Sequence, residues 1–171
     1  METWDAIRAR RATREYDTRP ISQEDLDQIL EAGRRAPSSK NDQRWDFVLI
    51  QDRDQLERIS HVWRGASHIA NARAAVGLVA PFSDDNRIAA SINYDLGQAA
   101  MSMMIAAADL GIGSRTAAVH DFDLASQVLD LPDDRRLTWL LGLGYPADRP
   151  LKPIKNPARK PIEEIVHHDR W

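Results

Sequence analysis

The sequence contains no cysteine, so neither a disulfide framework nor a thiolate metal site is available to it. It has no long apolar run either. The longest, near Ala99 to Ala108, is interrupted by Ser102 and is too short to span a bilayer. The opening Met1-Glu2-Thr3-Trp4-Asp5 is acidic and lacks the apolar core of a signal peptide, so a cytoplasmic location without a membrane partner is expected. Gly-rich phosphate loops are missing: Gly111-Ile112-Gly113 lacks a third glycine and does not follow a strand. The five histidines show no zinc-ligand spacing with carboxylates, and Ser38 and Ser39 are not set in a nucleophile elbow. An enzyme built on this sequence would therefore leave the hard step to a cofactor rather than to a side-chain acid–base pair.

What the sequence does have is unevenly placed charge. At 171 residues it suits one domain, residues 1–171, with a real core, and the formal net charge is −3. Residues 8–19 carry a local net charge of +3 and residues 149–160 one of +5, which leaves −11 on the remainder. Two short cationic patches on an acidic body do not make the broad basic face that nucleic acids require. They suit a small phosphorylated ligand instead. The first patch holds Arg8, Arg10, Arg11 and Arg14 within seven residues. Guanidiniums so close repel one another unless an anion sits between them, and their fork matches phosphate. The alternative is a solvated helix end, where cations are also favoured.

Periodicity places these residues on elements. Thr3 reads as the cap of a first helix that ends in the arginine cluster, and Ser22 with Asp25 caps a second, whose stripe is Leu26, Ile29, Leu30 and Gly33. Pro37 to Trp45 is a polar loop. Strands are predicted over Phe47–Ile50, Ala75–Pro81, Ser114–Val119 and Arg136–Gly144, with a helix capped by Asp54 after the first. A long helix from about Arg87 to Leu110 is apolar over so much of its surface that it is central or lies at a subunit interface. Asp123 caps a short helix through Leu129. Five prolines between Pro146 and Pro161 make an extended arm, followed by a short helix over Ile162–Val166. Helices first and strands mixed with helices later predict an α+β fold.

Four segments together resemble the FMN-dependent nitroreductase family. Arg10-Arg11-Ala12-Thr13-Arg14-Glu15-Tyr16 is similar to its opening signature, R-R-S-x-R-x-[FY]. Ala36-Pro37-Ser38-Ser39-Lys40-Asn41-Asp42-Gln43-Arg44-Trp45 is similar to A-P-S-x-x-N-x-Q-P-W. Leu110 to Ser114 resembles the turn after the family's central helix, and Leu143 to Pro146 with Arg159 to Val166 resembles its closing segment. Each motif is weak alone; four in order over nearly the whole chain are specific.

The resemblance implies a nitroreductase-like fold, a central and mainly antiparallel sheet flanked by helices, in an intertwined homodimer with residues 146–171 embracing the partner. It implies FMN as cofactor and NADH or NADPH as electron donor, with electrons passing to a small electron-poor acceptor such as a nitroaromatic or quinone. Arg10 and Arg159 would clamp the FMN phosphate, supported by Arg11 or Lys160. Arg14 would lie at the pyrimidine edge of the ring and stabilise negative charge there. Pro37, Ser38, Ser39, Asn41 and Gln43 would reach FMN from the other subunit, and the backbone around His120 and Asp121 would offer N–H groups near flavin N5. Ala12 stands where the family commonly has Ser, which removes one side-chain hydrogen bond and leaves a backbone role; Arg44 stands where Pro is usual. Other readings stay open: a branch specialised for flavin or deazaflavin metabolism, dehalogenation or ene reduction, or a non-enzymatic FMN-binding protein.

Overall fold

The computed structural model describes residues 1–171. Its helices are α1 (Thr3–Ala9), α2 (Gln23–Arg34), α3 (Arg53–Ser60), α4 (Asn86–Asp109) and α5 (Phe122–Leu129). Strands β1 (Asp46–Ile50), β2 (Ala74–Pro81), β3 (Gly113–Ala118) and β4 (Arg135–Gly144) form one sheet in the order β1-β2-β4-β3, every pair antiparallel. This is the expected α+β arrangement. No helix is long and apolar enough to cross a membrane.

Strand β2 explains the layering. Seven of its eight residues are buried, so it carries helices on both faces and has small side chains where they press closest. A Cβ on Gly77 would come within 2.9 Å of Leu137 Cδ1. Alternation along the strand divides the interior in two. Val76 and Leu78 join Leu26 and Ile29 of α2 and Leu96 and Met103 of α4 on one face. Ala75 and Val79 join Leu56 and Ile59 of α3 and Ala125 of α5 on the other.

Helix starts correct three expected caps. Ser22 does cap α2, accepting from Asp25 N at 3.1 Å. Thr3, however, is already inside α1, and its predecessor Glu2 makes no side-chain cap. Asp52, not Asp54, caps α3, and Asp121, not Asp123, caps α5. The last two segments each offer acids two positions apart, and the cap is whichever keeps an extended backbone while its side chain reaches the third N–H. Asp85 caps α4, and Gly111, with φ of +76°, ends it in the left-handed region that glycine enters freely.

The proline arm has two parts. Its first part lies against the body of its own chain: Ala147 N donates to Glu15 O, Ile154 N donates to Arg8 O, and Leu151 packs on Ala9 and Ala108. From Lys155 to Trp171 every residue is exposed, and the closing helix is a single 3₁₀ turn over Ile162–Glu164.

Candidate functional site

The arginine cluster sits where α1 ends. Arg10 is the C-cap, with an extended backbone at φ −59° and ψ 125°, and its guanidinium has no partner. Arg11 points the other way. One of its amines donates to Asp148 Oδ1 at 2.6 Å and to Arg149 O at 2.9 Å, which ties the arm to the cluster. That ion pair holds the Asp148 carboxyl below the usual carboxylate range. Arg11 is therefore partly committed to structure. Ala12 bridges Ser114 in parallel at the open edge of β3, and Thr13 N donates to Ser114 O at 3.1 Å. A Cβ on Gly113 would lie 2.5 Å from Thr13 Oγ1, so glycine there is what lets the cluster come so near the sheet.

Arg14 is exposed and forms no ion pair; the neighbouring Asp17 is taken by Arg19 at 3.5 Å. Arg115, on β3, also has no carboxylate partner. Burial, then the nearby Arg14 guanidinium, lower its pKa. Arg115 pairs in register with Gly142, and a Cβ on Gly142 would meet Tyr16 Oη at 3.1 Å and His68 Cδ2 at 3.2 Å. Arg115, Tyr16 and His68 therefore share one face of the sheet. His68 Nε2 lies 3.3 Å from Arg115 O. Burial is the main cause that lowers the His68 pKa; the Arg115 and Arg14 charges add to it, against carbonyl contacts from Arg115 and Gly65. The Tyr16 hydroxyl donates to Thr13 O at 3.0 Å, and burial raises its pKa. The result is a cationic edge over neutral, buried polar groups.

The loop after α2 has a different construction. Lys40, Asn41 and Gln43 all adopt left-handed φ, between 50° and 58°. Ser38 Oγ accepts from Gln43 N at 3.0 Å, and Ser39 N donates to both oxygens of Asp95 at 3.1 Å. Gln98 reaches Pro37 O at 3.4 Å. The loop's strained conformation is thus held by α4, while Pro37, Asn41 and the Gln43 side chain remain on the surface. Arg44 pairs with Asp42 at 3.2 Å.

Asp95 is the positioning residue that sequence reasoning missed. It is 3% exposed, and its signal was available as the one acid inside the apolar stretch of a buried helix. Arg115 was missed likewise, as a lone charge in a strand of small residues.

The remaining expected residues lie apart. The His120 and Asp121 N–H groups both donate to Val62 O, at 3.2 and 3.0 Å, and the Asp121 carboxylate accepts from Leu124 N. The His120 ring stacks on Trp63 with centroids 4.7 Å apart. Arg159 donates to the carbonyl of its neighbour Ala158, and neither it nor Lys160 touches the arginine cluster. Within α4, Asp95 and Ala108 are thirteen residues apart, or roughly 20 Å at 1.5 Å per residue. One holds the loop; the other packs under the cluster through Ala9 and Leu151. The two halves of the expected site are therefore set apart along one helix, one at its middle and one at its C-terminal end.

Known proteins resemble this chain in sequence and in fold. A protein of Archaeoglobus fulgidus whose name joins NADH dehydrogenase to NAD(P)H nitroreductase is 29% identical over 174 residues, covering 96% of each chain. The FMN reductase [NAD(P)H] of Bacillus subtilis is 30% identical over 181 residues, covering 94% of this chain and 71% of its own. In fold, an FMN-dependent nitroreductase of Clostridium difficile superposes with a TM-score of 0.82 at 22% identity, over 97% of this chain and 98% of its own. The family description Nitroreductase family matches in two overlapping stretches, residues 7–81 and 60–145, which hold the arginine cluster, the loop, α4 and the whole sheet, and the chain belongs to that family.

Proposed function

We propose that the protein is an FMN-dependent oxidoreductase that takes hydride from NADH or NADPH and passes electrons to an electron-poor acceptor, a nitroaromatic or quinone, in two successive half-reactions. The observation that carries this reading is the Arg14–Arg115 edge: two guanidiniums with no acid between them, above a histidine kept neutral by burial. Such an edge favours a group that gains negative charge during reaction. The names of the Bacillus and Clostridium proteins, FMN reductase and FMN-dependent nitroreductase, supply the cofactor.

The residues present fit FMN. Arg10 has a free guanidinium for the phosphate, and Arg159 and Lys160 are unpaired on a projecting arm that can approach it. Pro37, Ser38, Ser39, Asn41 and Gln43 offer neutral hydrogen-bonding groups, which suit ribityl oxygens and ring edges. Ala12, without a hydroxyl, contributes backbone only. When bound, FMN supplies the hydride chemistry. Arg14 orients the ring edge and holds charge there, and Arg115 assists from the strand. The His120 and Asp121 amides reach a flavin only if their bonds to Val62 O open.

A homodimer accounts for the separated halves. Helix α4 carries an unpartnered strip of Tyr94, Gly97 and Met101 along its outer side, with Tyr94 and Gly97 exposed. Pairing two copies through it, in a twofold and self-complementary contact, sets the loop of one against the arginine cluster of the other. The exposed Ile162, Ile165 and Val166 of the arm then find cover on the partner.

The purified protein should be yellow or become so with FMN, and NADH or NADPH should bleach its band at ~450 nm, with a nitroaromatic or quinone restoring it. A yellow protein that neither nucleotide bleaches would sink the reductase reading. Arg10→Ala and Arg159→Ala should each weaken FMN binding by about 1.5–3 kcal/mol, the range for a charged hydrogen bond.

A further inference from the structure

The cationic arm forms a second cleft that the flavin reading does not use. It has a volume of about 450 Å³ and is lined by Arg11, Arg149, Pro150, Lys152, Pro153, Ile154 and Lys155. No acid lines it. Arg149, Lys152 and Lys155 make no ion pair, and the three stand at intervals of three in the sequence Arg-Pro-Leu-Lys-Pro-Ile-Lys. In an extended proline-rich chain three residues complete one turn, about 9 Å in length, so side chains at this spacing return to one edge. The structure places all three on one cleft accordingly.

The arm is also held in place. Leu151 is buried against Ala9 and Ala108, Ile154 N donates to Arg8 O, and Arg11 grips Asp148 and Arg149 O. Pro150 and Pro153 restrict the backbone between these anchors. Fixed, unpaired cations in a row repel one another and are stabilised by a ligand carrying several negative oxygens. Arg11 is common to this cleft and to the one lined by Ala12, Thr13, Arg14, Glu15 and Asp148. A ligand seated here thus lies beside the edge assigned above to the flavin ring.

We infer that the arm cleft binds the phosphate-rich half of the electron donor, and that its row of cations selects NADPH, with its 2′-phosphate, over NADH. This rests on the reductase reading for its occupant. The chemistry of the cleft, a row of cations for a bisphosphorylated nucleoside, stands independently of turnover.

The test compares wild type with a Lys152→Gln/Lys155→Gln variant. Both lysines are exposed, so the fold should survive, as a thermal melt will verify. Wild type should have a lower KM for NADPH than for NADH, and the variant should raise the NADPH value roughly tenfold while moving the NADH value little, the loss expected of one to two charge-assisted contacts. Calorimetry should find adenosine 2′,5′-bisphosphate bound more tightly than AMP or inorganic pyrophosphate, a preference the variant loses. Equal KM values for the two donors in wild type would overturn the inference. So would a variant that loses FMN affinity instead, because the cleft would then hold the cofactor's phosphate. Pyrophosphate binding as tightly as the bisphosphate would reduce the cleft to a general anion trap and refute donor selection. If neither donor reduces the protein but the bisphosphate preference persists, the reductase reading fails and the cleft's ligand class is upheld.

Discussion

The middle of α4 and its C-terminal end support opposite kinds of order. At the N-terminal half a buried acid, Asp95, is spent entirely on backbone: both its oxygens accept from Ser39 N and pin a loop with three left-handed residues. The loop it holds is neutral in its outward-facing groups at Pro37, Asn41 and Gln43. At the C-terminal end cations are left over: Arg10, Arg14, Arg115, Arg149, Lys152 and Lys155 have no acid partner, while Arg11 is tied down by Asp148 and Arg8 by Asp5. One region uses charge to build a shape, and the other uses shape to hold charge in reserve. A ligand with a neutral hydrogen-bonding middle and a charged pole needs both regions, and they are roughly 20 Å apart along one helix. The contrast is the reason for reading this chain as half of a site.

Breaking the proposed contact between copies should have the largest effect. Tyr94→Glu with Met101→Glu puts two like charges on each copy's α4 strip, so the twofold contact would bury four. The variant is expected to run as a monomer in light scattering and to retain no FMN. A dimer of undiminished stability would show that another surface joins the copies.

Removing the buried acid comes next. Asp95→Ala should cost about 1.5–3 kcal/mol of stability, the range for hydrogen bonds to a charged group. Asp95→Asn keeps one acceptor and should recover part of that loss. The loop's proteolytic sensitivity distinguishes a positioning role from a packing one: cleavage between Ser38 and Gln43 should rise in the alanine variant well below its melting temperature. An unchanged rate would mean that the left-handed backbone holds itself.

The smallest effects are those of pH at the cationic end. His68 has a lowered folded pKa, so its neutral form is favoured in the native state. Its contribution is present above the unfolded value of about 6.5 and is lost as pH falls through that region. Asp148 is lowered as well, and its pairing with Arg11 is lost only at more acidic pH, through the carboxylate range. His68→Gln should therefore flatten the melting temperature between pH 7 and 5 and leave the steeper acid loss in place. A profile identical to wild type would mean that His68 protonates without cost.

Much of this arrangement was legible in the sequence. The helix and strand periodicities located every α-helix and β-strand to within a few residues, because one-sided burial forces a period of two or 3.6 on the side chains, but not the 3₁₀ helix over Arg64–Asn71. Caps were less legible: Asp52 and Asp54, or Asp121 and Asp123, offer the same chemistry two residues apart, and only backbone conformation chooses between them. The arginine cluster could be read from its spacing. The commitment of Arg11 to Asp148 could not, since 137 residues separate them. The arm was read as one extended piece, yet Leu151 and Ile154 anchor its first part to α1 and leave the rest free.

What the sequence determined by itself was therefore local: which stretches are helical or extended, where charge is concentrated, and which motifs mark the family. Propensity, periodicity and proline stiffness act over a few residues and need no partner. What only the tertiary structure decided was which cations remain unpaired and which distant groups meet. An ion pair or a buried carboxylate depends on a folded surface that brings two remote segments within hydrogen-bond reach. That is how Arg10 and Arg14 came to be free while Arg11 did not, and how an acid in the middle of an apolar helix came to hold the loop at the far end of the site.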